Sequence, residues 1–421
     1  MAEQHDLVDD LIDISKGLGV LRNPLSGLTD TLLGTGGVNR PVWNPADYKE
    51  KPRGNTLQCM LCRYEQSACS ACMDVCPVDA ITIEDDAISV SDDCRECGLC
   101  VSVCPTESFV SPKIQPKKLY ELIAAAAQAH ETAYVTCTRS LKRVPRENEV
   151  VLACVGDVSP ELWFAILAEY DNVSVFLPVD ICARCKTTTG EEQLSEFIAQ
   201  GEEWAGVGLG LEVDARALRC VKRREYERKE FMDNIVRTTG LAVSKFNPAT
   251  AALMSVTQKL REHSNRLSDL EKTLSTAAGI SSEKRRRILQ QGRQLMLSAL
   301  QLHPELAQSV RVWLPECDYS RCAMCAECVR QCPVHACDLV ASGRFKVEPE
   351  YCVGCGLCAE VCPNRALSMH ECNCEQLVVS DPAIEKKKQA EQLVATRAAA
   401  AGAAARKKLD SLLDQVEKLG E

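Results

Sequence analysis

The arrangement of cysteines limits what this chain can fold into more than any other feature of its sequence. Three runs have the form C-x2-C-x2-C-x3-C-P, and a fourth ends in the same C-x3-C-P after a longer lead-in. The complete runs end at Pro105, Pro333 and Pro363, and the irregular run ends at Pro77. Such triplets wrap around one side of a [4Fe–4S] cube, whereas zinc sites use cysteine pairs separated by longer loops. The runs therefore predict iron–sulfur clusters.

The abundance of cysteine also bears on where the chain folds. It has 26 cysteines among 421 residues, and its beginning, MAEQHDLVDD, lacks the basic and apolar regions of a secretory signal. No apolar run approaches the length of a transmembrane segment. In a long chain without a signal peptide, this much cysteine favours metal binding over a disulfide scaffold. We therefore expect a cytoplasmic protein without a transmembrane segment.

The charge balance argues against one class of partner. The chain has 59 acidic and 49 basic residues, which gives a formal net charge of −10. Binding to nucleic acid needs a basic face that neutralises phosphates. We therefore expect no nucleic acid among the partners.

Changes in composition divide the sequence into segments and predict a multidomain α+β fold. We expect an N-terminal docking segment (1–54), a first module (55–115), a central α/β domain (130–240), a helical hairpin (245–311), a second module (312–375) and a helical tail (381–421). The two modules are internal repeats, since CPVDAITI…DDCRECGLCVSVCP in the first matches CPVHACDLV…EYCVGCGLCAEVCP in the second. In each, a short strand-turn-strand stretch separates two cysteine runs, with the turns at Asp85-Asp86 and at Gly343.

The two modules resemble the two-cluster bacterial ferredoxins, which implies a ferredoxin-like fold and one-electron transfer. In that family the cysteine before proline ligates the neighbouring cluster. The sets implied for the second module are Cys322, Cys325, Cys328 and Cys362, and Cys352, Cys355, Cys358 and Cys332. One set implied for the first module is Cys94, Cys97, Cys100 and Cys76.

The irregular run leaves the other set of the first module open. Cys104 needs three partners, and four cysteines precede Cys76, namely Cys59, Cys62, Cys69 and Cys72. The favoured partners are Cys59, Cys62 and Cys72, because this choice keeps the usual order and lets residues 63–71 bulge outward. The rival choice is Cys62, Cys69 and Cys72. Together the two modules are thus expected to hold four [4Fe–4S] clusters.

The central domain carries a second cysteine pattern. Apolar runs at 133–136, 150–153 and 173–177, with a helical stretch at 160–170 between the last two, predict a βαβ unit with parallel strands. Cys137 and Cys154 end two of these strands, and Cys182-x2-Cys185 follows the third. Because carboxyl ends of parallel strands meet at one edge, we expect these four thiols to converge there. Zinc, a redox dithiol and inert buried thiols are the alternatives to a cluster.

This central region resembles the small iron–sulfur (delta) subunit of F420-non-reducing (methyl-viologen-reducing) hydrogenase. That family carries C-S-G-R-V-D-P after a strand, and this chain has CVGDVSP from Cys154 to Pro160. The family's cysteine, four residues and glycine correspond to Cys185, residues 186–189 and Gly190. The resemblance implies a [2Fe–2S] cluster that hands electrons between a redox enzyme and a flavin-bearing subunit. The family's C-x4-C is C-x2-C here, from Cys182 to Cys185.

The hairpin region is expected to contain two helices with apolar stripes. The first carries Leu260, Leu267, Leu270 and Leu274, with His263 packed on the same stripe, and the second is capped near Ser281 or Ser282. The basic run at 284–287 is expected to be a solvated face, and the alternative is a docking site for an acidic carrier. An apolar stripe at 7–21 predicts a helix that docks on a partner or on the rest of the chain, with a membrane-surface helix as the alternative. A second stripe at 409–419 predicts a helix that is free or docks on a partner.

Six cysteines lie outside the favoured sets, and three of them suggest an additional metal site. Because the first and last strands of a ferredoxin-like fold pair, Cys317, Cys372 and Cys374 are expected to lie close together. The other three are Cys69, Cys220 and Cys337. The glycine-rich stretch at 206–210 is an incomplete dinucleotide fingerprint in the wrong context, so we expect no nucleotide site.

Taken together, these patterns predict an electron-transfer subunit that does no bond chemistry alone. Its partners would be redox subunits such as a flavoprotein, a hydrogenase, a heterodisulfide reductase-like protein or a molybdopterin enzyme. The alternative is a reductase whose additional cysteine cluster is itself catalytic. A third interpretation is a scaffold in which zinc replaces the central cluster.

Overall fold

A computed structural model describes residues 42–111, 113, 115–223, 256–278, 285–340 and 342–378 of the chain. The predicted helices at 7–21 and in the 381–421 tail lie outside these residues. None of the described helices is both long and apolar enough to cross a membrane.

The first module is built from two short antiparallel strand pairs with three single-turn helices. Its outer strands, Arg53–Gly54 and Phe109–Val110, pair with each other, and the inner strands, Ile81–Glu84 and Ala87–Val90, form the predicted hairpin. Asp85 and Asp86 both have positive φ at its turn, as a tight hairpin connection requires. The helices are Met60–Arg63, Ala71–Asp74 and Leu99–Ser102, and Pro45–Tyr48 forms a 3₁₀ turn before the first strand.

The second module repeats this plan with longer outer strands. Arg311–Cys317 pairs antiparallel with Leu367–Asn373, and Cys337–Leu339 pairs with Phe345–Val347. Gly343, at φ 75°, makes the predicted turn between the inner strands. Two helices, Glu327–Gln331 and Leu357–Glu360, lie just after the middle cysteine of each run. The internal repeat read from the sequence is thus a repeat of the fold.

The central domain contains a four-stranded parallel sheet, as its apolar runs predict. Its strands are Ala133–Cys137, Glu149–Leu152, Val173–Phe176 and Gly210–Glu212, and the second in sequence occupies the edge beside the first. Helices Pro116–Ala129, Pro160–Glu169 and Gly190–Ala205 accompany the sheet, with a short helix at Thr138–Leu141. Ser159 caps the second of these, because its hydroxyl accepts the Leu162 N–H at 3.4 Å. Gly206, at φ 68°, ends the third, so this glycine terminates a helix.

The hairpin region differs from the sequence prediction at the start of its second helix. The first helix is Val256–Ala278, but the second runs from Gln291 to Leu302, so a cap near Ser281 or Ser282 is wrong. Residues 285–290 are not helical because tertiary contacts engage them. The Ile288 N–H donates to the Val334 carbonyl of the second module at 3.0 Å, and the Gln290 amide donates to the Thr106 carbonyl of the first at 2.6 Å.

The basic run is only in part the solvated face that the sequence predicts, since Arg286 is exposed whereas Arg287 is buried. The side chain of Arg287 is 3% exposed and pairs with Asp338 at 3.0 Å and Glu348 at 3.5 Å. Both carboxylates belong to the second module, so this buried ion pair attaches the segment to it. His263 is packed as predicted, since its ring is buried and stacks on Tyr120 at 4.1 Å between centroids.

One apolar core joins three parts of the structure. It runs from the central sheet and its helices through Val256–Ala278 and Gln291–Leu302 into the second module. Trp163, Phe164 and Ile166 lie fully buried at its centre. The first module has a smaller core of its own around Leu99 and Phe109. The cysteine modules are therefore held against the central domain.

Candidate metal centres

The four proline-flanked cysteines share one backbone arrangement. In each loop the thiol accepts a hydrogen bond at 3.2 Å from the main-chain N–H four residues on. The residue before that donor has positive φ, which turns the N–H toward the sulfur. The pairs are Cys76 with Ala80, Cys104 with Ser108, Cys332 with Ala336, and Cys362 with Ala366. Main-chain donors aimed at the ligand sulfurs are one of the means by which proteins tune iron–sulfur clusters.

The three complete runs share a second arrangement around their middle cysteine. In each, the residues on both sides of that cysteine have positive φ. The residue pairs are Glu96 and Gly98, Met324 and Ala326, and Gly354 and Gly356. Successive left-handed turns of this kind direct backbone N–H groups inward and form a concave nest for a negatively charged group. A thiolate-ligated cluster is such a group.

The thiols of two of the three complete runs surround a cavity together with a cysteine from the other run of their module. One cavity is lined by Cys94, Cys97, Cys100 and Cys76, with Ile81, Val90 and Leu99 as apolar walls. The other is lined by Cys322, Cys325, Cys328 and Cys362, with Cys317, Leu339 and Phe345 beside them. The exchange of the proline-flanked cysteine has the geometry that the ferredoxin resemblance implies. Four thiols, apolar walls and inward N–H groups fit a [4Fe–4S] cube. Within the described ranges, no three Cys, His, Asp or Glu side chains converge closely enough for a single metal ion.

The irregular run places its cysteines differently. Cys59 is the N-cap of the helix Met60–Arg63, so the left-handed turns of the complete runs are missing there. Burial, and then the nearby thiols of Cys104, Cys69 and Cys59, raise the pKa of Cys72 to about 12. Burial, and then its contact with Cys59, raises the pKa of Cys62 to about 12. Cys69 therefore lies within the group formed by Cys72 and Cys104, and Cys62 lies beside Cys59.

The other set of the second module surrounds a buried thiol. Cys332, Cys352 and Cys358 are all buried, and Cys337, at 2% exposure, lies between Cys332 and Cys358. A hydrogen bond from Cys337, with main-chain N–H donors, lowers the pKa of Cys332 to about 6 despite its burial. Burial raises the pKa of Cys352 to about 12. The sequence analysis left Cys337 out of every set. A buried cysteine fits an apolar strand position as well as a position beside the ligands, so its burial does not distinguish the two.

The four central cysteines lie at the carboxyl edge of the parallel sheet, where the sequence places them. Cys137 is the last residue of its strand, Cys154 follows the edge strand by two residues, and Cys182 and Cys185 follow the third strand. Burial, and then the thiols of Cys137 and Cys97, raise the pKa of Cys154. Burial, and then the thiol of Cys137, raises the pKa of Cys182 to about 11. Cys137 therefore lies close to both Cys154 and Cys182.

Two glycines allow the loops around these central thiols to approach each other. A Cβ on Gly190 would lie 2.9 Å from the Cys154 sulfur, and a Cβ on Gly156 would lie 3.0 Å from the Gly190 carbonyl oxygen. The Thr187 N–H donates to the Cys185 sulfur at 3.5 Å. These are the glycines and the cysteine on which the resemblance to the hydrogenase subunit depends. The arrangement fits a group held by thiolates at the sheet edge.

The expected site of Cys317, Cys372 and Cys374 does not form. The outer strands pair as predicted, but their register sets Cys317 opposite Leu367 and Cys372 opposite Val312. The two cysteines are therefore five residues apart along the ladder, or about 17 Å at 3.4 Å per residue. Cys317 lies instead beside Cys322 and Cys362, whose thiols, after burial, raise its pKa to about 11. The prediction failed because antiparallel pairing brings the end of one strand to the start of the other.

Comparison with known proteins agrees with this geometry. Family models described as 4Fe-4S binding domains match residues 88–109 and 345–368, and a second such model matches residues 319–335. An uncharacterized ferredoxin of Methanocaldococcus jannaschii is 39% identical over 54 residues, which are 12% of this chain and 87% of the relative. The pyruvate synthase subunit PorD of Methanothermobacter marburgensis is 36% identical over 61 residues, 14% of this chain and 70% of the relative. A ferredoxin of Methanothermococcus thermolithotrophicus is 40% identical over 43 residues, 10% of this chain and 72% of the relative. No solved structure matches the chain.

The modules and their cysteines define an iron–sulfur protein with a ferredoxin-like electron-transfer function. The matched stretches contain all three complete runs, which begin at Cys94, Cys322 and Cys352. The chain belongs to the family of ferredoxin-type 4Fe-4S proteins.

Proposed function

We propose that the chain is a multi-cluster subunit that relays electrons between partner redox proteins. It would hold four [4Fe–4S] clusters in its two modules and one further cluster, a [2Fe–2S] cluster, in the central domain. Such clusters accept and release one electron at a time without bond chemistry. The protein's own contribution is to hold each thiol set, exclude water and direct N–H groups at the sulfurs.

A single observation carries this proposal, namely the fourfold recurrence of the loop with the 3.2 Å N–H to sulfur bond. The irregular run has this loop at Cys76 although its lead-in departs from the common pattern. A chain that had lost one of its ligand sets would have no reason to keep the same donor in all four loops. The recurrence therefore supports four sets of ligands.

For the irregular set we propose Cys59, Cys69, Cys72 and Cys104. Cys69-x2-Cys72-x3-Cys76-Pro77 reproduces the last three cysteines of a complete run. The Ala71 N–H reaches the Cys69 sulfur two residues back, as the Glu96 N–H reaches Cys94. Cys62, which spacing alone favours as a ligand, lies beside Cys59 but is not among the thiols that raise the pKa of Cys69 or Cys72.

The central set would be Cys137, Cys154, Cys182 and Cys185. Its support is the convergence of these residues at one sheet edge and the close packing of Gly156 and Gly190 around Cys154. The resemblance to the hydrogenase delta subunit favours two irons there. It also favours a redox enzyme at one end of the relay and a flavin-bearing, heterodisulfide reductase-like subunit at the other.

The partners follow from the same comparison. PorD is by name a subunit of pyruvate synthase, so one relative with this cysteine module is part of a redox enzyme. We propose that this chain likewise works between subunits, which include a flavoprotein, a hydrogenase or a molybdopterin enzyme, in the cytoplasm. Anaerobic purification with the native partners would identify them.

Metal analysis tests the proposal directly. We expect roughly 18 iron atoms per chain, from four cubes and one binuclear cluster. Low-temperature EPR of the reduced protein should integrate to about four cubes plus a distinct binuclear signal. A Cys69→Ser variant should lose one cube, whereas Cys62→Ser should keep all four and thereby serve as the matched control. Zinc without iron after anaerobic preparation would refute the proposal.

A further inference from the structure

We infer that the five thiol sets form one unbroken series, and that a direct contact between the two modules is its middle joint. The inference rests on the proposed function and adds the order of the sets and the residues that couple them. From one end the order is the central set (Cys137, Cys154, Cys182 and Cys185), the Cys97 set (Cys94, Cys97, Cys100 and Cys76), the Cys72 set (Cys59, Cys69, Cys72 and Cys104), the Cys355 set (Cys352, Cys355, Cys358 and Cys332) and the Cys325 set (Cys322, Cys325, Cys328 and Cys362). Electron transfer weakens steeply with distance, so an order of contacts is also an order of transfer.

The first junction joins the central domain to the Cys97 set. The Ser102 hydroxyl donates to the Gly156 carbonyl at 2.9 Å, and the Thr189 hydroxyl donates to the Val75 carbonyl at 2.6 Å. A Cβ on Gly156 would lie 2.7 Å from the side chain of Leu99, the residue directly before Cys100. Cys154 packs against the core that contains Cys100 and Leu99. Cys97 is also the thiol of the first module that raises the pKa of Cys154, so the central thiols face the Cys97 set.

The middle joint is formed by the irregular run of the first module and the second module. Met60 lies buried with Leu357 and Val361 in a small apolar cluster. Cys69 packs against this cluster from the first module, and Cys355 packs against it from the second. One layer of side chains thus separates a thiol of the Cys72 set from a thiol of the Cys355 set.

Polar contacts fix this joint in a single register. The Arg63 guanidinium donates to the Gln331 carbonyl at 2.7 Å and also to the Arg330 carbonyl. These carbonyls immediately precede Cys332, which belongs to the same set as Cys355. The Ser67 hydroxyl donates to the Glu360 carboxylate at 2.8 Å. The lead-in that makes the first run irregular therefore supplies the residues that dock the modules.

Both ends of the series reach the surface of the described structure. Cys325 is exposed, and the neighbouring Met324 is 58% exposed. At the other end Cys182 and Cys185 are partly exposed, and Val179 before them is 73% exposed. Each end thus offers thiol ligands to a partner, while Cys72 and Cys352 in the middle are buried.

The joint can be tested in the full-length, iron-loaded protein. The double variant Arg63→Ala, Glu360→Lys removes both polar clamps without touching a proposed ligand. The matched control Arg53→Ala, Glu371→Lys makes the same charge changes at exposed positions of the two modules. Pulsed EPR of the reduced proteins measures magnetic interaction between clusters. A photo-crosslinking amino acid in place of Tyr64, which packs against the joint cluster, measures contact independently of iron.

We expect the wild-type and control proteins to crosslink residue 64 to 357–361 and to show magnetic interaction across the modules. In the joint variant the interaction across modules and the crosslink should both fall at least fivefold, with iron content unchanged. Two results, each obtained with full iron content, would overturn the order and leave the proposed function standing. One is a wild-type protein that gives no crosslink, and the other is a joint variant in which the magnetic interaction between the modules is unchanged. A wild-type protein without iron would overturn the proposed function itself.

Discussion

The contact between Glu107 and the helix Gln291–Leu302 allows a quantitative test of how the modules are fixed in place. Glu107 follows the proline-flanked Cys104 by three residues, and its carboxylate accepts the N–H groups of Gln291 at 2.9 Å and Gly292 at 2.7 Å. These are the first two residues of the helix, whose amides have no intrahelical acceptor. A carboxylate at a helix N-terminus also interacts favourably with the helix dipole.

The variant Glu107→Gln should open this contact locally. Its amide has one acceptor oxygen, so one hydrogen bond is lost and the other loses its charge. Hydrogen bonds to charged groups contribute about 1.5–3 kcal/mol each. We therefore expect the free energy of local opening to fall by about 1.5–3 kcal/mol, which makes amide exchange at Gln291 and Gly292 about 10- to 100-fold faster.

Hydrogen exchange measured by mass spectrometry, in iron-loaded protein, reads this opening directly. The control is Glu161→Gln, because Glu161 lies beside Glu107 and helps to raise its pKa without bonding these amides. The control should leave exchange at 291 and 292 unchanged. Equal exchange in wild type and Glu107→Gln would refute the view that this carboxylate holds the helix.

Three further predictions concern the fold around the thiol sets. Arg287→Met should destabilise the chain by about 3–5 kcal/mol in chemical denaturation, since it removes the buried guanidinium that pairs with Asp338 and Glu348, whereas Arg286→Met at an exposed pair should cost under about 1 kcal/mol. Gly98→Ala should lose roughly four irons, because its φ is +84° and the new Cβ would lie 2.2 Å from a carboxylate oxygen, whereas Gly206→Ala, with nothing within 4 Å, should keep its iron. Burial lowers the pKa of His263 from 6.5 to about 3, so the unfolded state takes up the proton first as pH falls and stability is lost below pH 6.5. Between pH 7 and 5 this loss is about 2 kcal/mol in wild type, and His263→Phe should lack it; the same acid sensitivity in both would contradict the assignment.

The elements that the sequence predicts well are those set by local pattern. Short continuous apolar runs and a helix that begins at a proline predicted the central βαβ unit and its parallel strands, and the turn residues predicted both hairpins. The convergence of Cys137, Cys154 and Cys182 at one edge followed from topology alone. In each case the signal lies within a few residues of the feature.

The failures came from tertiary contacts that no local pattern encodes. Propensity favours a helix through residues 284–290, but the Ile288 backbone pairs with Val334 and Arg287 enters a buried ion pair. Spacing could not show that Cys69 lies near the thiols of Cys72, Cys104 and Cys59. The position of Cys317 could be found only from strand register, because pairing alone leaves open which ends meet. The features that the sequence analysis missed thus depend on contacts between segments that are distant in sequence.

The hydrogen bond that the four cysteine-proline loops share comes from a main-chain N–H, so the side chain of the residue before that donor can make other contacts. At the left-handed position the four loops have Asp79, Glu107, His335 and Arg365, four unlike residues in one conformation. Glu107 uses this freedom to hold the start of the helix at 291–292, and the His335 ring lies 2.8 Å from the Arg286 carbonyl. Glu107 of the first module and His335 of the second, which occupy equivalent positions, therefore contact opposite ends of the segment 286–292. The residue at this position can therefore differ from loop to loop and bind different neighbouring segments, while the main-chain hydrogen bond to the cysteine sulfur stays the same.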